Sequence, residues 1–188
     1  MDAYEAIARR VSTRAFRDTP VPREAIGRLL EAAVRAPNHK LTEPWGFVVL
    51  TGASRDRLAE LRRAHRASRF DDPAAPDAAK AIEKTWREAR DTPAFIAVLC
   101  ARSDDEVRRK EDEASAWMAV QNLLTAATAE GLGTYVRTGG ILTDPGVEAL
   151  VQLPPRHRVI ALVSLGLPAG EESPRRRTPA AEKTLWLE

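Results

Sequence analysis

The stretch IARRVSTRAFRDTPVP near the N-terminus sets three arginines (Arg9, Arg10, Arg14) around Ser12 and Thr13. Arginine presents a planar, permanently charged fork that matches phosphate and carboxylate oxygens, and neighbouring hydroxyls add further donors. Residues of these types suit the holding of an anion better than the making of bonds. In an extended chain Arg10 and Ser12 turn to the same side, and the adjoining helix end is expected to contribute backbone N–H groups. Elsewhere the usual reactive apparatus is missing. The three histidines (His39, His65, His157) and the single cysteine, Cys100, have no metal-ligand spacing, so no metal site is expected. No serine stands in a strand–turn–helix elbow, and GLG at 131–133 lacks the third glycine and the preceding strand of a dinucleotide fingerprint. The acidic runs DDPAAPD and EDE read as a solvated loop and a helix start. Without catalytic side chains, any chemistry is expected to be carried by a bound cofactor.

Composition narrows the classes further. Arginine outnumbers lysine 24 to 5, yet acidic residues are scattered among the arginines and the net charge is only +2. Nucleic-acid binding calls for one concentrated basic face, so that class is disfavoured. No apolar run approaches the roughly 20 residues that span a bilayer. The opening MDAYEAIARR has no apolar signal core. A cytoplasmic protein without membrane attachment is expected, and Cys100, inside FIAVLC, reads as core. With 188 residues, 44% of them hydrophobic, the chain is expected to form one domain over 1–188.

The elements that must position the arginines follow from periodicity and punctuation. Residues 2–10 read as a short helix, and TPVPREAIGRLLEAAVRAP as a second, with proline at its entry and Pro37 as its stop. WGFVVLTG reads as a buried strand, followed by the polar helix SRDRLAELRRAHRA, a proline-broken loop and a short helix near 78–87. PAFIAVLCA, TYVRTG and RVIALVSLGLP supply three more strands, and TDPGVEALVQL a helix capped by Thr143 or Asp144. Strands alternating with helices indicate an α/β or α+β sheet protein. The long helix up to Gly131 is apolar or small on almost every face from Ala114 to Ala129, so it must be enclosed. A dimer interface would enclose it economically; a central place within one domain is the alternative.

Taken in order, RVSTRAF, RAPNHKLTEPWGFVVL, AWMAVQNLLTAATAEGLGTYV, LGLP and RRRTPAAEKTLW resemble the FMN-dependent nitroreductase family across nearly the whole chain, most closely its small, minimal branch. The resemblance implies an α+β fold with a central mixed or antiparallel sheet flanked by helices. It also implies a homodimer whose C-terminal tail, KTLWLE, adds a strand to the partner. FMN is the implied cofactor, NADH or NADPH the donor, and a nitroaromatic, quinone or similar small molecule the acceptor, by ping-pong hydride transfer. Arg10, Val11 and Ser12 then correspond to phosphate and ribityl contacts. Arg14 corresponds to a contact at the pyrimidine edge, where it favours the reduced flavin. Arg9 either assists or faces solvent. Positions matching Arg35 and His39 reach the flavin from the partner subunit. Val136, Arg137 and Thr138 lie against the ring, and Arg177 closes on the phosphate, whereas Arg175 and Arg176 are expected in solvent. The sequence departs from the family pattern at Leu41, Glu43 and Thr138, and a short 61–94 segment implies an open pocket. Relatives on this fold carry out reductive dehalogenation or flavin breakdown, or only bind flavin, so these remain alternative functions.

Overall fold

The apolar run AFIAVLCA forms a strand, Ala94–Ala101, buried on both faces from Ala94 to Cys100. Such a strand needs a covered sheet on each side. In the computed structural model, which describes residues 1–187, the order is α1 (Ala3–Arg9), α2 (Arg23–Ala33), β1 (Trp45–Leu50), α3 (Gly52–Ala67), α4 (Pro76–Arg90), β2 (Ala94–Ala101), α5 (Glu106–Ala129), β3 (Gly133–Arg137), α6 (Pro145–Leu150) and β4 (His157–Gly166). The strands pair in the order β1-β2-β4-β3, with every pairing antiparallel. The sheet is therefore antiparallel rather than mixed, and the fold is α+β.

Alternation along β2 divides the core into two layers. Ile96, Val98 and Cys100 pack against Leu29 of α2 and Ala119, Val120 and Leu123 of α5. Phe95, Ala97 and Leu99 pack against Leu58 of α3, Ala89 of α4 and Val147 of α6. The central strands β2 and β4 are nearly continuous in burial, as their sequences imply. β1, expected to be buried, is half-exposed up to Leu50 because it lies at the sheet edge.

Aspartates set three helix starts. Asp2, Asp105 and Asp144 accept hydrogen bonds from the N–H groups of Glu5, Arg108 and Gly146, each at 2.8 Å. α4 extends beyond both ends of the expected short helix, with Pro76 in its first turn. α5 is only partly enclosed by its own chain: Ala116, Ala119 and Leu123 are fully buried, while Val107 and Met118 are 67% and 40% exposed. Beyond Gly170 the tail is exposed and forms only a 3-10 turn at Ala180–Lys183, leaving Leu185, Trp186 and Leu187 in solvent. As far as Leu187, KTLWLE pairs with no strand of its own chain, its expected place being the partner's sheet, and Glu188 lies outside the described residues. Among the described residues no helix is long and apolar enough to cross a membrane.

Candidate functional site

After α1 the backbone becomes extended at Arg10 and runs beside β3. Thr13 N–H donates to the Thr134 carbonyl at 2.8 Å, Ser12 bridges to Thr134 in parallel sense, and Phe16 bridges to Pro168. Alternation then sorts the side chains. Thr13, 1% exposed, turns inward against Gly133, where an added Cβ would lie 2.6 Å from the Thr13 hydroxyl. Arg10, Ser12 and Arg14 turn outward and line one cleft of ≈ 530 Å³ together with Val11 and Tyr135. The tail supplies the other wall through Glu172, Ser173, Arg175 and Arg177.

One sequence expectation needs adjusting here. The helix end beside this segment is the C-terminus of α1, where Arg10 N–H is already bonded to the Ala6 carbonyl at 3.1 Å, so it offers no free donor. The donor comes from extended backbone instead: Arg14 N–H donates to the Glu172 carboxylate at 3.0 Å. Arg175 is exposed, as expected, and lines the open cleft beside Arg177. Arg9 lies outside the cleft in an exposed ion pair with Glu5 at 2.8 Å.

At the end of β3 the side chains divide between the faces of the sheet. Val136 packs on the α2–α5 layer. Tyr135 and Arg137 occupy the opposite face, with the Arg137 guanidinium 4.6 Å from the Tyr135 ring centroid and that of Arg14 5.6 Å from it. Arg137 is pinned by a hydrogen bond to the Ser164 hydroxyl at 3.2 Å and an ion pair with Glu88 at 3.5 Å. Burial pulls its pKa below the ordinary arginine value. Arg62 of α3 is only 8% exposed, and its Nη1 has no hydrogen-bond partner among the described residues. Burial first, and then the charge of Arg137, lowers its pKa to about 10, so it remains cationic at neutral pH. Thr138, Gly139 and Gly140 follow as an exposed turn; Gly139 has φ 101°, a conformation that side chains rarely permit.

Arg35 and His39 are exposed, stand in the segment between α2 and β1, and do not line the arginine cleft. Three strand spacings of about 4.8 Å separate β1 from β3, so these residues are not brought to the arginine cleft by their own chain. His39 lines a different cleft with Thr42, Arg108 and Asp112. The turn there holds Lys40, Leu41 and Glu43 at positive φ (53°, 52° and 42°). It is clamped by Glu43 N–H donating to Asn38 at 3.0 Å and by the Thr42 hydroxyl donating to buried Asp112 at 2.7 Å. Two departures from the family pattern, Leu41 and Glu43, thus sit on left-handed backbone.

Sequence reasoning missed Tyr135, Arg62, Glu88 and Glu172. Tyr135 was recoverable, since it shares a strand face with Arg137. The others carried no signal: α3 reads as a polar helix, Glu88 lies just past the short helix expected near 78–87, and Glu172 opens a basic, proline-containing tail. A further cleft of ≈ 500 Å³ adjoins through Arg14 and is lined by Phe16, Lys80, Lys84, Arg87 and Glu88.

Comparisons with known proteins bear on the family and the fold. The family model described as the Nitroreductase family matches residues 7–167. YfhC of Bacillus subtilis, whose name places it among the NAD(P)H nitroreductases, is 30% identical over 180 residues, covering 95% of this chain and 91% of its own. The crystal structure of a nitroreductase-like family protein from Bacillus cereus superposes with a TM-score of 0.82 at 26% identity, over 100% of this chain and 97% of that one. A nitroreductase from Desulfovibrio desulfuricans, solved in complex with FMN, superposes with a TM-score of 0.75 at 28% identity, covering 100% and 98%. On the family match, the identities and the shared architecture, this chain belongs to the nitroreductase family.

Proposed function

We propose that the protein is an FMN-dependent NAD(P)H oxidoreductase, working as a homodimer, that reduces nitroaromatic, quinone or similar acceptors by ping-pong hydride transfer. The observation that carries this reading is the convergence of Arg10, Ser12 and Arg14 with Arg175 and Arg177 in one cleft, from opposite ends of the chain. The donor set fits a phosphate ester joined to a planar ring: guanidinium forks for the phosphate, a hydroxyl for the ribityl chain, and Arg14 for the ring edge. Glu172 supports the fit, because its carboxylate already rests on the Arg14 N–H as an anionic oxygen ligand would. FMN, when bound, supplies the hydride chemistry; the chain binds the phosphate, orients the ring and lets backbone approach it at Gly139 and Gly140. In this reading Arg35 and His39 act across the dimer, which the distance between sheet edges favours.

Purified protein should be yellow and should oxidise NADH or NADPH when a nitro compound is supplied. A charge-assisted phosphate contact is worth roughly 1.5–3 kcal/mol, so Arg10→Ala should weaken FMN binding about tenfold to over a hundredfold. Riboflavin, without the phosphate, should bind poorly and be insensitive to this change, and Arg9→Ala should match wild type. Equal losses for FMN and riboflavin in Arg10→Ala would overturn the phosphate assignment. Bound flavin without NAD(P)H oxidation would shift the reading to another flavin reaction.

A further inference from the structure

Beneath β3 lies a charged cluster that is not part of the binding segment. Arg62 comes from α3, Glu88 from α4, Arg137 from β3 and Ser164 from β4, so four elements distant in sequence meet there. Arg62 is 8% exposed with an unpartnered Nη1, and Glu88 reaches Arg137 through a single 3.5 Å contact. Two guanidinium groups thus face one carboxylate, leaving an uncompensated positive charge inside the protein. Retaining it is costly, and an apolar side chain of similar length would fill the same space at lower cost. The cluster also communicates with the cleft. Arg137 stacks 4.6 Å from the Tyr135 ring centroid, and Arg14, which lines the cleft, lies 5.6 Å from the same ring.

We propose that Arg62 is a positioning residue for the electrostatics of the cleft: acting through Arg137, it holds a buried positive charge behind Tyr135 that favours the more negative form of the ligand bound there. The inference rests on the FMN reading, in which that form is the reduced cofactor, because adding two electrons and one proton leaves the ring with one negative charge. A unit charge about 10 Å away, at an effective dielectric of about 20, changes the relative affinity for the two forms by roughly tenfold. Glu88 opposes this effect, so its neutralisation should act in the opposite direction.

The test compares FMN-loaded wild type, Arg62→Met, Arg62→Lys and Glu88→Gln, each equilibrated against a redox dye of known potential. Affinity for oxidised FMN and the melting temperature are measured in parallel. Arg62→Met should lower the flavin midpoint potential by about 30 mV, the two-electron equivalent of a tenfold change, while affinity for oxidised FMN stays within about threefold. Arg62→Lys should restore most of the potential, and Glu88→Gln should raise it. A purely structural role would move the melting temperature without opposite potential shifts, and that result overturns the inference. If Arg62→Met does not fold, Glu88→Gln decides alone, and an unshifted or lowered potential overturns it. Wild type that takes up no FMN would refute the FMN reading itself, whereas bound FMN with unshifted potentials refutes only the role of Arg62.

Discussion

Gly133→Ala tests how the binding segment is held. A Cβ at Gly133 would stand 2.6, 2.7 and 2.8 Å from Oγ1, Cγ2 and Cβ of Thr13, against ordinary contacts of 3.4–4 Å. Rotating the Thr13 side chain cannot relieve this, because its Cβ is itself too close. Its backbone is tied as well, by the 2.8 Å hydrogen bond to the Thr134 carbonyl. The Val11–Arg14 segment must therefore move off β3 by several tenths of an ångström. Overpacking of this kind costs about 1–3 kcal/mol; with the site 1% exposed, about 2 kcal/mol is expected, or a melting point lower by roughly 4–8 °C for a chain this size. Displacing Arg10, Ser12 and Arg14 together should also weaken FMN binding at least tenfold, measured by calorimetry on the apoprotein. Thr13→Gly removes all three clashing atoms, so in a double-mutant cycle the two changes should be non-additive by about 1 kcal/mol, the double mutant losing less than the sum. A loss below about 0.5 kcal/mol for Gly133→Ala, or strict additivity with Thr13→Gly, would refute the claim that the segment is seated on β3 through this glycine.

Leu41, 82% exposed at φ 52°, should be improved by Leu41→Asn, since asparagine tolerates left-handed backbone; a gain of about 0.5–1 kcal/mol in denaturant unfolding is expected, and a loss would count against the strained turn. Arg28 hydrogen-bonds Glu130 through two contacts (2.8 and 2.6 Å) and holds its carboxyl below the ordinary range. The stability from this pair is therefore complete above the ordinary carboxylate pKa and is lost as pH falls through the lowered one, and Glu130→Gln should flatten that part of the acid limb of a stability–pH profile. The exposed Val107–Met118 side of α5, with Leu185 and Trp186, is expected to be covered in a dimer burying over ~2,000 Å². Light scattering should show a dimer weakened by Met118→Glu, and a stable flavin-loaded wild-type monomer at low micromolar concentration would refute this.

The sequence by itself determined the elements, because their signals are local. The apolar runs of β2 and β4 read as buried strands, proline and aspartate marked helix starts, and the alternation of Arg10 and Ser12 anticipated a shared side. It also carried the family, through motifs spread in order over most of the chain. Tertiary structure decided what depends on which elements become neighbours. β1 reads as apolar as β2, yet within it only Leu50 is buried, because its place at the sheet edge leaves it less covered. Arg175 entered the cleft because the tail folds back beside the N-terminal segment. Arg62 is one arginine among many on a polar helix, and nothing in its neighbours along the chain marks it. Its burial arises because α3, α4, β3 and β4 close around it, and the desolvation that makes its charge effective exists only in that packed arrangement.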